Sequence, residues 1–251
     1  MVLPDPDGIQ PWMLPLILAY CRIQGCILVI PAYSAQMLPA RIKVSLAIAL
    51  TPLFATAFPG PVHVASLQGL ALLVMGEVLV GLLIGGLVRL TALALEVAGT
   101  AIASTASLSQ IVGVSNEYAP HPVGNLLNIA GFGLLMVLGY PLMVCDLIQQ
   151  SMIIKPAGAW PNADGLVAAT VGIVASSFQL ALILAAPFVL GGFLYQALSG
   201  VISKVMPSLP IVFIGAPAAI LLALLGLALL TNGILSVWAD AVLSFTLPDL
   251  R

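Results

Sequence analysis

Charge is what this sequence most lacks. Only 6% of its 251 residues are Asp, Glu, Lys or Arg, against about a quarter in soluble domains. Its seven basic residues are scattered and form no patch, which excludes a nucleic-acid surface. There are three cysteines, Cys21, Cys26 and Cys145, with no CxxC and no accompanying cluster of His and Asp. They read as small apolar fillers, not as metal ligands or a redox pair. Catalytic motifs are missing as well: no GxSxG, HExxH, P-loop or GxGxxG is present. His63 and His121 lie near prolines in connections, and Asp146, Asp164 and Asp240 lie at the ends of apolar runs. Neither a nucleophile with its base nor an intramembrane aspartate pair results, so no enzyme, metal or cofactor is expected. Short alternating strands with regular turns are absent too, which argues against a β-barrel.

What is present is apolar length: 61% of the residues are hydrophobic. Repeated runs of about 20 apolar residues mark membrane-spanning helices, and no polar stretch is long enough for a soluble domain. The expectation is a single helical membrane domain. Six runs stand out, at 12–30, 44–58, 69–103, 123–147, 165–202 and from Pro217 to about Leu247. Six crossings would put both termini on one side, but three of these runs are too long for simple spans. Asp5 and Asp7 occupy the place of a basic n-region, so the first helix is expected to remain in the mature protein.

Several positions inside or beside these runs ask for partners. Arg22 lies mid-run, where a charge in hydrocarbon costs ~2.5–3.5 kcal/mol, so a protein partner is expected. Arg41 and Lys43, after Pro39, precede the second run and read as cytoplasmic. Pro187, followed by Gly191 and Gly192, suggests a hinge or break in the fifth run.

The third run carries the most informative pattern. At about 100° per residue, Gly81, Arg89, Ala92, Glu96, Gly99 and Ala103 fall within roughly 40° of Gly85, with Glu77 at the edge of the stripe. Gly81 and Gly85 form a GxxxG, which lets another helix approach closely. Arg89 and Glu96 are seven residues apart, too far for pairing along one helix. Partners on another helix or subunit, or water at the end of a projecting helix, are the alternatives.

That run leads into a polar interruption, 104–124, with five serines or threonines, Gln110, Asn116, Glu117, His121, two prolines and Gly113. Leu108, Ile111, Val112 and Val114 are spaced through it. A plain connection needs no such apolar cluster, and a plain helix would not tolerate Gly113, Pro120 and Pro122 so close together.

The order of these pieces resembles the FliR family of flagellar export-gate proteins, whose counterpart in virulence type III secretion is the T component. The pieces are Arg22 and Pro31 with Pro39-x-Arg41-x-Lys43, the Gly76-Glu77 start of a long glycine-rich helix, the polar 104–124 stretch, Met206-Pro207-x-Leu209-x-Ile211, and Ile214-Gly215-x-Pro217. The resemblance covers roughly 12–247 and leans to the flagellar branch.

It implies an all-α membrane subunit of a helical hetero-oligomeric gate. A FliP-like part would span about 1–200, and a FliQ-like helical hairpin 201–251. Implied partners are FliP, FliQ, FlhA and FlhB, with membrane lipids around them. The implied cargo is unfolded flagellar proteins crossing the bacterial inner membrane at the flagellar basal body. The plug of such a gate falls by position on Ser107, Leu108, Gln110, Ile111, Val112, Gly113, Val114, Asn116, Glu117 and Pro122. Subunit packing is expected of Arg22, Arg41, Lys43, Glu77, Gly81, Gly85, Arg89, Glu96, Gly99, Met206, Pro207, Gly215 and Pro217. The competing reading is a secondary transporter with a midplane site at Arg89 and Glu96 and helices broken around Pro187 and Pro217. It calls for inverted repeats, and none is seen. A third reading is a membrane scaffold with no channel role.

Overall fold

A computed structural model describes residues 13–33, 38–56, 67–105, 122–158, 163–206 and 211–248. Among them there are seven α-helices and no strand: α1 (Met13–Val29), α2 (Ala40–Ala55), α3 (Leu67–Thr105), α4 (Pro122–Val137), α5 (Tyr140–Ile154), α6 (Ala163–Val205) and α7 (Ile211–Leu243). The expected all-α membrane class holds. Three helices, α3, α6 and α7, are long and apolar enough to cross a membrane, and a fourth span results if the broken pair α4–α5 counts as one.

The helices differ from the apolar runs in instructive places. The 123–147 run is two helices, not one. Gly139 takes φ 95° as the N-cap of α5, and Pro141 occupies the first turn that follows. Proline there lacks the N–H of a continuing ladder, and glycine accepts the left-handed backbone that the break requires. Arg41 and Lys43 do not precede the second helix but lie in its first turn, because Pro39 is the N-cap. Pro187 breaks nothing: α6 is helical from 163 to 205 with the proline inside. Likewise α7 begins at Ile211 and carries Pro217 within it. One missing hydrogen bond is tolerable inside a long apolar helix whose other bonds have no water to turn to.

The chain forms two compact units, and α3 and α6 each contribute residues to both. The first comprises 1–91, 139–174 and 244–251. Here α1 packs along α2, and the first half of α3 lies against α1 backbone to backbone. Leu18, Ile23, Ile27, Ile84 and Ile148 are wholly or almost wholly buried. The chain leaves α1 through Pro31, with Ala32 at φ 67°. Tyr140 fastens this exit: its hydroxyl donates to the Pro31 carbonyl at 3.1 Å, and its ring stacks on Tyr33 at 6.1 Å between centroids.

The second unit comprises 92–138 and 175–243. Its buried core includes Leu95, Ile102, Leu127, Leu135 and a wholly buried Trp238. The indole Nε1 donates to the Ala92 carbonyl at 3.1 Å, and Phe132 leans on the ring at 6.2 Å. Gly131 makes room: a Cβ there would come within 2.9 Å of the indole and 2.7 Å of Leu95. On α6 and α7, large apolar side chains such as Phe178, Phe193, Leu194, Leu221, Leu225 and Leu229 remain exposed. Apolar surface of that extent fits lipid or a neighbouring subunit.

Candidate functional site

The site begins with Arg22. A guanidinium in the middle of an apolar helix must find acceptors inside the protein, and here it finds three. Nε donates to Glu77 Oε2 at 2.6 Å, Nη1 to the Ser151 carbonyl at 2.9 Å, and Nη2 to the Lys155 carbonyl at 2.9 Å. Ser151 Oγ lies 3.4 Å from Nη1 as a further acceptor. Arg22, Glu77 and Ser151 are all buried. Ser151 lies in the last turn of α5 and Lys155 is its C-cap, so the cation also meets the negative end of that helix. One side chain of α1 thus ties α3 to the C-terminus of α5. Glu77 is held from its other side by the Gly158 N–H, which reaches Oε1 at 3.4 Å from a backbone with φ 83°.

Glycine on α3 makes this geometry possible. A Cβ on Gly81 would collide with the Arg22 carbonyl oxygen and stand 2.9 Å from the Cys26 nitrogen. On Gly85 it would stand 2.7 Å from the Cys26 carbonyl oxygen. Gly25 of α1 answers from the other side, 2.7 Å from the Val78 carbonyl oxygen. The close neighbour of the GxxxG pair is therefore α1 of the same chain. Backbones this near let a short reach from Arg22 meet Glu77.

The stripe seen in the sequence divides. Glu77, Gly81, Gly85, Ala92, Gly99 and Ala103 are buried, whereas Arg89 and Glu96 are exposed. On a helical projection the two charges sit at one edge of the stripe, about 20–40° from Gly85, and the tightly packed glycines lie toward the other. Among the described residues neither Arg89 nor Glu96 has an ion-pair partner. Arg41 is exposed at the start of α2, and Lys43 is half-buried. Met206 and Pro217 are exposed, Gly215 is half-buried, and Pro207 lies outside the described residues.

Of the expected plug residues, only Pro122 is described, as the first residue of α4. Ser107, Leu108, Gln110, Ile111, Val112, Gly113, Val114, Asn116 and Glu117 lie outside the described residues. The helices that flank them are described. A Cβ on Gly99 would be 3.0 Å from the Gly124 Cα, so the last turns of α3 and the first turn of α4 touch backbone to backbone. α3 and α4 thus cross closely at Gly99 and Gly124.

Gly124, Gly25, Gly131, Ser151, Tyr140 and Trp238 were not singled out by sequence reasoning for these contacts. Glycine in an apolar run does signal close approach, but nothing in one sequence says to which helix. Among the described residues no group of three His, Cys, Asp or Glu comes together to hold a metal.

Long apolar helices, a buried ion pair and glycine-mediated crossings mark an all-α integral membrane protein. Residues 13–245 match bacterial export proteins, family 1, and the chain belongs to that family. It is 32% identical over 229 residues to the flagellar biosynthetic protein FliR of Caulobacter vibrioides, covering 89% of this chain and 90% of that one. The family that the motif order pointed to is thus the one the chain belongs to.

Proposed function

We propose that this chain is a subunit of the flagellar type III protein export gate, where it helps form and close the channel for unfolded flagellar proteins. The observation that carries the reading is the match of residues 13–245 to the bacterial export family; the crossing of Gly99 and Gly124 adds that the two helices flanking 106–121 come together. A closing element must be held at its base and free of a passing chain along its length. Leu108, Ile111, Val112 and Val114 supply apolar surface for a dewetted constriction, and Gly113 is its pivot. In this reading the chain acts in the inner membrane, within the flagellar basal body. It assembles with FliP and FliQ, works with FlhA and FlhB, and catalyses no reaction itself.

Exposed Arg89 and Glu96, with the apolar faces of α6 and α7, supply surfaces for neighbouring subunits. A FliP-like part at about 1–200 and a FliQ-like hairpin at 201–251 belong to the same reading; α6 and α7 meet where a Cβ on Gly226 would lie 3.5 Å from Phe188.

The test is deletion of Gln110–Glu117 in the assembled complex. The expected outcome is normal assembly with a membrane leaky to ions or small solutes. An assembled deletion complex with an unchanged leak rejects the plug. Mass measurement after purification in mild detergent tests the gate itself: one copy in a larger hetero-complex is expected, and a monomer or symmetric homodimer rejects it.

A further inference from the structure

We propose that the groove between α1 and α2 holds one acyl chain of an anionic phospholipid whose phosphate rests on Arg41. The groove is an open cavity of about 320 Å³ lined by Leu16, Ile17, Tyr20, Ile48, Thr51 and Pro52. The Thr51 hydroxyl donates to its own helix, to the Ala47 carbonyl at 2.7 Å, so it offers the groove no free proton. What remains is a slot that accepts hydrocarbon.

Charge complementarity identifies the occupant. Arg41, Ser45, Ile48 and Pro52 are spaced i, i+4, i+7 and i+11, so they share one face of α2, and all four are exposed. Ile48 and Pro52 lie about 10 and 16 Å along the axis from Arg41. Half of a bilayer's hydrocarbon core is about 15 Å. With α2 along the bilayer normal, a phosphate at Arg41 puts the groove at the depth where the acyl chain of the same lipid runs.

The start of α2 suits an anion for two reasons. Arg41 has no side-chain partner among the described residues. Pro39, as N-cap, provides no side-chain acceptor for the first-turn N–H groups, which carry the positive end of the helix. Lys43 lies on another face, in line with buried Ala47 and Phe54, and adds positive potential without lining the groove. The inference does not depend on the export-gate reading.

The experiment is native mass spectrometry of the purified full-length protein in its complex, exchanged into micelles doped with phosphatidylglycerol and phosphatidylcholine. The wild type is expected to retain phosphatidylglycerol selectively. Arg41→Ala should lower that retention about fivefold, the order expected for one basic residue at a lipid surface. Arg41→Lys should largely restore it. Ile48→Trp fills the groove and should displace the lipid, while Leu53→Trp, the same bulk on α2 away from the groove, should not. A benzophenone amino acid placed at Ile48 gives a reading that does not need the bulky variants to fold: cross-linking to lipid is expected. Equal retention in Arg41→Ala and wild type, equal retention of phosphatidylcholine, or cross-linking at position 48 to a protein each overturns the proposal.

Discussion

Replacing Arg22 by methionine removes the charge while keeping most of the side-chain volume, and its consequences follow from the contacts of the guanidinium. Among the described residues Glu77 keeps the Gly158 N–H alone, and the Ser151 and Lys155 carbonyls lose the guanidinium as donor. Breaking a buried pair by removing one partner costs ~3–5 kcal/mol, because an uncompensated charge stays inside. Glu77→Met, the converse change, leaves Arg22 its carbonyl acceptors but strands a buried guanidinium that cannot shed its proton, and should cost about as much, ~3–5 kcal/mol. The double variant Arg22→Met/Glu77→Met has no stranded charge. It should recover much of the loss and keep a residue of about 1–3 kcal/mol for carbonyls left unsatisfied at the end of α5. The assay is unfolding of the purified protein in mixed micelles with increasing SDS, followed by helical circular dichroism, as a double-mutant cycle. A favourable coupling of at least ~1 kcal/mol is expected. Additive single effects, or an Arg22→Met protein within about 0.5 kcal/mol of wild type, would refute the view that this pair ties α1, α3 and α5.

Other outcomes can be read from the same assay. Gly81→Ala forces a methyl into the Arg22 carbonyl and should destabilise by ~1–3 kcal/mol, whereas Gly86→Ala meets nothing within 4 Å and should be neutral or stabilise by up to ~1 kcal/mol through helix propensity. Trp238→Phe loses the bond to the Ala92 carbonyl, about 0.5–1.5 kcal/mol, and Trp238→Ala should cost ~3–5 kcal/mol as the second unit's core empties. Gly124→Leu should part α3 from α4 at Gly99 and, if residues 106–121 close a channel, raise the ion leak of complexes that still assemble. Arg89→Ala with Glu96→Ala should leave the isolated chain's stability within about 0.5 kcal/mol, since both are exposed, yet reduce co-purification with partner subunits. Normal co-purification would put those charges in water.

The amino-acid sequence by itself determined that this is a helical membrane protein. Apolar runs with almost no charge cannot satisfy their backbones in hydrocarbon except as helices. It also determined that Arg22 needs a partner inside the protein, since an isolated charge at that depth is too costly, and that Gly81 and Gly85 mark a close crossing. Which partners those are, it could not say. Glu77 is 55 residues from Arg22 and Ser151 is 129 away, and no periodicity carries over such distances. The division of the α3 stripe was hidden for the same reason. A projection puts Arg89 and Gly85 on one face, but only the path of α1 decides which edge is covered. The break at Gly139 is masked by an apolar run that continues through it, and its signal is local, a glycine two residues before Pro141. Tertiary structure alone decided that Gly99 meets Gly124. That contact joins two backbones with no side chain between them, and such an approach leaves glycine in the sequence without naming the glycine it faces.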